Sequence, residues 1–227
     1  MKSALVTGAS SGIGKAISLR LLKMGYKVYG MAREFDKSGI EDEKFVKINI
    51  DLIKEKNYPK IENLTLLINC AGFGKFAPHE ELNAKDIEQM IALNLTAPLL
   101  LSNFYLRELK KRGGFIININ SISGLQPALF GAVYGASKAA LRHFGISLFK
   151  EARKSGLKVV NINPDLTNTP FFKNLHFGTT SDPLSFIEPS DIAKVVEDVI
   201  NHREGTVLTD ITVEPQIFKI EKKSAKN

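Results

Sequence analysis

The chain of 227 residues has one cysteine, Cys70, and no tryptophan. A lone cysteine excludes an intrachain disulfide, and nothing calls for an oxidising compartment. Histidine is almost as scarce: His79, His143, His176 and His202 stand singly, with no cysteine or carboxylate at ligand spacing, which argues against a metal centre. No apolar run is long enough to cross a bilayer. The opening "MKSALVTGAS" carries neither the apolar stretch nor the cleavage site of a secretory leader. The expectation is a cytoplasmic protein with no membrane partner.

What is present is ordinary for a soluble globular protein, 44% hydrophobic and 24% charged. Lysine and arginine number 31 against 24 acidic residues, and the resulting +7 suits an anionic ligand such as a phosphorylated cofactor. These cations are not interleaved with stacking aromatics, so the excess reads as a lysine-rich surface and not as a nucleic-acid site. The densest stretch, "KIEKKSAKN", reads as a solvated tail.

Short β-branched runs at 4–7, 27–31, 45–50, 64–69, 114–120, 158–162 and 207–213 alternate with helical patterns at 14–24, 52–61, 84–111, 134–154 and 189–201. Strand, helix, strand in this order predicts one doubly wound α/β domain over 1–213, its parallel sheet covered on both faces, with 214–227 as tail. Ser190 is a candidate cap for the last helix, with Asp191 in its first turn. The irregular stretch 164–188 follows a strand, so it would lie as a substrate loop or lid at the carboxyl edge of the sheet.

Residues 6–14, "VTGASSGIG", fit two motifs with unrelated chemistries. Gly8, Ser10 and Gly12 satisfy G-x-S-x-G, the elbow that exposes a nucleophilic serine in α/β-hydrolases. Extended to Gly14, the same residues make a glycine-rich turn into a helix whose N–H groups would cradle a pyrophosphate. The spacing departs from G-x-G-x-x-G, because Ile17 stands where the third glycine would fall. Arg33, just past the second strand, stands where an arginine meets the 2′-phosphate of NADP, and no acid appears at that strand end before Glu34. NADP is therefore favoured over NAD.

Further along, Tyr134 and Lys138 lie four residues apart, on one face of a helix. An ammonium beside a phenol stabilises phenolate, which would fit Tyr134 for proton transfer near neutral pH. Ser121, at the end of a strand, would place its hydroxyl on the reacting oxygen.

With "TGASSGIG" at 7–14, Asp51 in "NIDL", "NCAG" at 69–72, Asn94 in "LNL", Ser121, "YGASK" at 134–138, "NPDLTNT" at 163–169 and "EPSDIA" at 188–193, the chain resembles the short-chain dehydrogenase/reductase family over nearly its whole length. The resemblance implies a Rossmann fold with a seven-stranded parallel sheet in the order 3-2-1-4-5-6-7, and an NAD(P)-dependent oxidoreductase. It implies a catalytic tetrad: Tyr134 transfers the proton, Ser121 orients the substrate oxygen, and Lys138 binds the nicotinamide ribose and lowers the tyrosine pKa. Asn94 would hold a water leading from Lys138 to solvent.

On the same ground, Ser10, Ser11 and Ile13 would line the cofactor beside Gly8, Gly12 and Gly14. Asp51 and Leu52 would sit at the adenine, Ala71 and Gly72 at its ribose, and Thr167 and Thr169 at the nicotinamide carboxamide. A homodimer or homotetramer is implied, built through the long helices. Three residues depart from the family pattern: Cys70, Asn120 and Asp165, the last in place of a glycine.

The expected reaction is hydride transfer between NADP and the carbonyl or alcohol carbon of an apolar aldehyde, ketone or secondary alcohol. Phe73, Phe76, Leu125, Leu129, Phe130, Phe171, Phe172, Leu175, Phe177 and Phe186 are candidate pocket residues. Two rivals stand beside it, a catalytically silent NADP-binding sensor and a serine hydrolase using Ser10.

Overall fold

The computed structural model describes residues 1–223. Its strands are β1 (Ser3–Thr7), β2 (Lys27–Ala32), β3 (Phe45–Asn49), β4 (Leu64–Asn69), β5 (Phe115–Ile119), β6 (Lys158–Pro164), β7 (Phe177–Gly178), β8 (Asp210–Val213) and β9 (Glu221–Lys222). Seven form one sheet in the order β3-β2-β1-β4-β5-β6-β8, every pairing parallel. This is the expected order, with the predicted seventh strand shortened to β8. The additional pair, β7 with β9, is a small antiparallel ribbon outside the sheet.

Five helices, α1 (Gly12–Lys23), α2 (Ala84–Ile91), α3 (Ala97–Lys111), α4 (Ala132–Ala152) and α5 (Pro189–Ile200), cover both faces. Strands buried on both sides read as continuous apolar runs, and β1 is buried at all five positions. On one face Ile17 and Leu21 of α1 pack with Val196 and Val199 of α5, joined at the rim by the Arg20–Glu197 ion pair. On the other, Leu101 and Leu109 of α3 pack with Leu148 of α4 against Leu67 and Ile116.

Three local expectations change. The pattern at 84–111 is two helices joined by a widened turn at Ala92–Thr96. Pro98, in the first turn of α3, has no N–H to give the carbonyl four residues back, and the wide turn accommodates it. No helix forms over 52–61, which turns at 52–54 and then runs without regular structure, yet Leu52, Tyr58 and Ile61 still enter the core. At α5 the cap is Glu188 and not Ser190: Glu188 and Asp191 form a reciprocal capping box with Pro189 in the first turn.

One polar row crosses this apolar sheet. Asn69, Asn118, Asn161 and Asp210 are successive register partners on β4, β5, β6 and β8. Asn69 donates to Asn118 at 2.9 Å and Asn118 to Asn161 at 3.3 Å, and all three asparagines are buried. Gly145 of α4 lies over this row; a Cβ there would come within 2.4 Å of Asn161 Oδ1.

Candidate active site

The carboxyl ends of β1, β4, β5 and β6 open into a cavity of about 500 Å³ that reaches from the glycine turn to the segment after β6, the candidate lid. At its floor Gly8 and Gly12 adopt left-handed backbone, with φ of 69° and 52°. A Cβ on Gly14 would lie 2.3 Å from the Gly8 carbonyl oxygen, so only glycine lets the turn fold back on the start of α1. Ser11 caps α1 without a side-chain hydrogen bond and its first turn has no acid, which leaves the N-terminal N–H groups for an anion. Glycines made necessary by close approach, a bare helix terminus and Arg33 on the same wall fit a dinucleotide phosphate.

The structure places the other expected cofactor residues unevenly. Ser11, Ile13, Arg33, Ala71 and Gly72 line the cavity. Ser10, Asp51 and Leu52 are not among the lining residues. Asp51 accepts from Ile53 N at 3.0 Å to close its own turn, and Leu52 is spent in the core because burying its side chain outweighs any polar neighbourhood. Sequence reading missed Thr7, whose hydroxyl accepts from both Cys70 N and Ala71 N at 2.9 Å and so clamps the end of β1 to the loop after β4. Its place at the very end of β1, before the first glycine, was the available signal.

Ser121, Tyr134 and Lys138 meet at the centre of the cavity. Ser121, two residues past β5 and in extended backbone, caps the turn that follows by accepting from Ser123 N at 3.1 Å, which fixes its hydroxyl near the strand end. Tyr134 and Lys138 sit in the first two turns of α4, with the Lys138 ammonium 5.8 Å from the Tyr134 ring centroid. Lys138 Nζ donates to the Ile119 carbonyl at 2.9 Å. Burial pushes its pKa down to about 8.

The expected lowering of the Tyr134 pKa by Lys138 is not what the structure gives. Burial pushes the phenol up to about 12, a hydrogen bond with the Ser121 hydroxyl offsets part of this, and the Cys70 thiol adds to the rise. At neutral pH Tyr134 is thus a protonated donor. Asn94 does not line the cavity; it is fully buried behind it, accepting from Phe73 N at 3.0 Å and donating to Phe73 O at 2.8 Å and Ser137 Oγ at 3.2 Å. Gly72 makes the room between them: a Cβ there would stand 3.1 Å from Asn94 Oδ1 and 3.4 Å from Lys138 Nζ.

Five aromatic rings close on one another around the cavity wall. Phe76 meets Tyr134 at 5.4 Å between centroids, Tyr134 meets Phe171 at 5.7 Å, Phe171 meets Phe172 at 5.2 Å, Phe172 meets Phe177 at 5.7 Å, and Phe177 returns to Phe76 at 5.1 Å. Of the other expected pocket residues Phe73 also lines it, whereas Leu125, Leu129, Phe130, Leu175 and Phe186 do not, Leu129 and Phe130 being turned to solvent. Thr167 and Thr169 line the cavity; Thr169 packs against Gly12, tying the lid to the glycine turn. Asp165 lines it too, and its backbone is not left-handed, so the strain that replacing a glycine raises does not arise.

The tail covers more than the sequence suggested. Lys223 N donates to His176 O at 2.8 Å and Ile217 N to Leu184 O at 2.9 Å, so β9 and the chain before it lie along the lid. The rest of the predicted tail, 224–227, lies outside the described residues.

A family model described as short chain dehydrogenase matches residues 2–178. An uncharacterized oxidoreductase of Staphylococcus epidermidis is 30% identical over 94% of this chain and 97% of its own length. A serine 3-dehydrogenase of Rhizobium radiobacter is 32% identical over 74% of this chain and 72% of its own. Among solved structures, a short-chain dehydrogenase from Sphingobium yanoikuyae in complex with NADPH superposes with a TM-score of 0.78 at 25% identity, over 93% of this chain and 87% of that one. The chain belongs to the short-chain dehydrogenase/reductase family and is an NAD(P)-dependent oxidoreductase.

Proposed function

We propose that the chain transfers hydride reversibly between NADP and the carbonyl or alcohol carbon of an apolar-bodied aldehyde, ketone or secondary alcohol. The observation that carries this reading is that Ser121, Tyr134 and Lys138 share one cavity with the glycine turn and Arg33. The glycine turn and the α1 N-terminus hold the pyrophosphate, and the Arg33 guanidinium meets the 2′-phosphate. When bound, NADP supplies or accepts the hydride. The NADPH of the Sphingobium relative supports the phosphorylated cofactor.

The protein handles the oxygen and its proton. Ser121 donates a hydrogen bond to the substrate oxygen, and Tyr134 gives it a proton as negative charge develops there. Lys138 holds the ribose, and its ammonium stabilises the phenolate left on Tyr134. Asn94 keeps the Phe73 loop and α4 at a fixed spacing behind Lys138. A hydrolase built on Ser10 finds no support, since neither Ser10 nor any histidine is among the described residues lining the cavity. The serine dehydrogenase relative acts on a small hydroxy amino acid by its name, whereas the wall of this cavity is aromatic.

The reading extends to a homodimer or homotetramer through the long helices, supported by Leu100 and Phe104 standing exposed on α3.

The test is NADPH oxidation with a panel of aryl and alkyl ketones and aldehydes. Tyr134→Phe is expected to lose roughly a hundredfold or more in turnover of an accepted carbonyl while still binding NADPH. Retention of most of the turnover overturns the assignment.

A further inference from the structure

Asp165 stands where β6 runs into the lid. Its N–H donates to Val213 O at 2.9 Å and its carbonyl accepts from Thr167 Oγ1 at 2.9 Å, so its place is fixed from both sides. The side chain is half-buried in the wall of the catalytic cavity. Among the described residues no ion pair reaches it. Burial, first of all, raises the pKa of its carboxyl; a hydrogen bond from the Leu166 backbone offsets part of this, and the charge of a second acid, Glu214, adds to the rise.

A carboxylate partly withdrawn from water with no cation beside it is held at a cost that an arriving cation removes. The described cations on the cavity wall are already committed elsewhere: Lys138 to the Ile119 carbonyl, and Arg33 past the end of β2 beside the glycine turn. The ring of five aromatics supplies the complement, since π faces attract an ammonium group and accept its apolar body.

We propose that the substrate is a ketone or alcohol carrying an ammonium group, recognised by the Asp165 carboxylate and the aromatic wall while its oxygen lies at Tyr134 and Ser121. This rests on the carbonyl-reduction reading above. A cation at Asp165 has two sources, the substrate or the oxidised nicotinamide ring; continuity of the aromatic wall from Tyr134 into the lid favours the substrate.

The test uses a matched pair of phenyl ketones, phenacyltrimethylammonium and its neutral isostere with a tert-butyl group in that position. Binding is measured by calorimetry in the presence of NADP, and reduction is followed with NADPH. Wild type is expected to bind the charged ketone roughly tenfold or more tightly than the neutral one, with Asp165→Asn erasing most of that preference. Asp165→Ser serves as a second variant, and NADPH binding certifies that each is folded.

Equal binding of the pair, no binding of either, or a preference that survives both substitutions overturns the proposal. So does a loss confined to NADP⁺ against NADPH, which assigns the carboxylate to the cofactor. If the charged ketone binds through Asp165 but is not reduced, recognition stands and the carbonyl-reduction reading fails. If both ketones are reduced without preference, that reading stands and this one falls.

Discussion

Lys138 keeps its ammonium buried on the wall of the cavity, 4% exposed, with one carbonyl as its hydrogen-bond partner. Its pKa falls from 10.5 to about 8, so the folded chain binds this proton less tightly than the unfolded chain does. Below the folded value both states are charged and the burial cost is present in full; as pH climbs toward the unfolded value the cost disappears. The unfolding free energy of wild type, relative to Lys138→Met, is therefore expected to improve by about 2 to 3 kcal/mol between neutral pH and pH ~10.5. Urea titrations of both proteins across that range check it, and a constant difference would refute the buried charge.

Arg33 tests the cofactor end at the same scale. It lines the cavity but is exposed, and the role proposed for it is a charge-assisted contact with a single phosphate. Arg33→Ala is expected to weaken NADPH by roughly ten- to a hundredfold while leaving NADH nearly unchanged, measured by fluorescence titration. Equal losses for both cofactors would remove Arg33 from the 2′-phosphate.

At the scale of elements, the helix α4 carries two members of the site, and its depth is set from below. Gly145 rests on the buried Asn118 and Asn161, whose side chains are held by hydrogen bonds and cannot swing aside freely. Gly145→Ala is expected to destabilise the chain by about 1 to 3 kcal/mol through overpacking, read as a lower urea midpoint. An unchanged midpoint would mean that the row gives way. What was legible here follows from local geometry: a four-residue spacing on a helix puts Tyr134 beside Lys138 wherever that helix docks. The asparagine row was not, because three buried asparagines become partners only through the register of strands far apart in sequence. Where the Asp51 and Leu52 side chains turn was not legible for a related reason, since a family position does not say whether its side chain faces the cavity, its own turn or the core.

At the scale of the whole molecule, one side of the cavity is bordered by chain that has no sequence pattern to announce it. Two-residue strands such as β7 and β9 are too short for alternation, so the lid at 164–188 reads as irregular and the residues after β8 read as tail. Their pairing, with Lys223 Nζ donating to Phe172 O at 2.5 Å, straps the C-terminal segment across two rings of the aromatic wall. The strap is exposed and buries little, so it adds little to global stability, and its proposed part is to restrain the segment 164–188, which carries three of the cavity's rings. A chain stopped after Pro215 is expected to melt within a few degrees of wild type while its lid is cut several-fold faster by limited proteolysis within 170–188. Its KM for an accepted ketone should rise more than its kcat falls, because Ser121 follows β5, Tyr134 and Lys138 sit on α4, and none of them touches the strap. Cleavage at the wild-type rate would show that the lid is held by its own contacts with Gly12 and Tyr134, and that β9 is ornamental to the site.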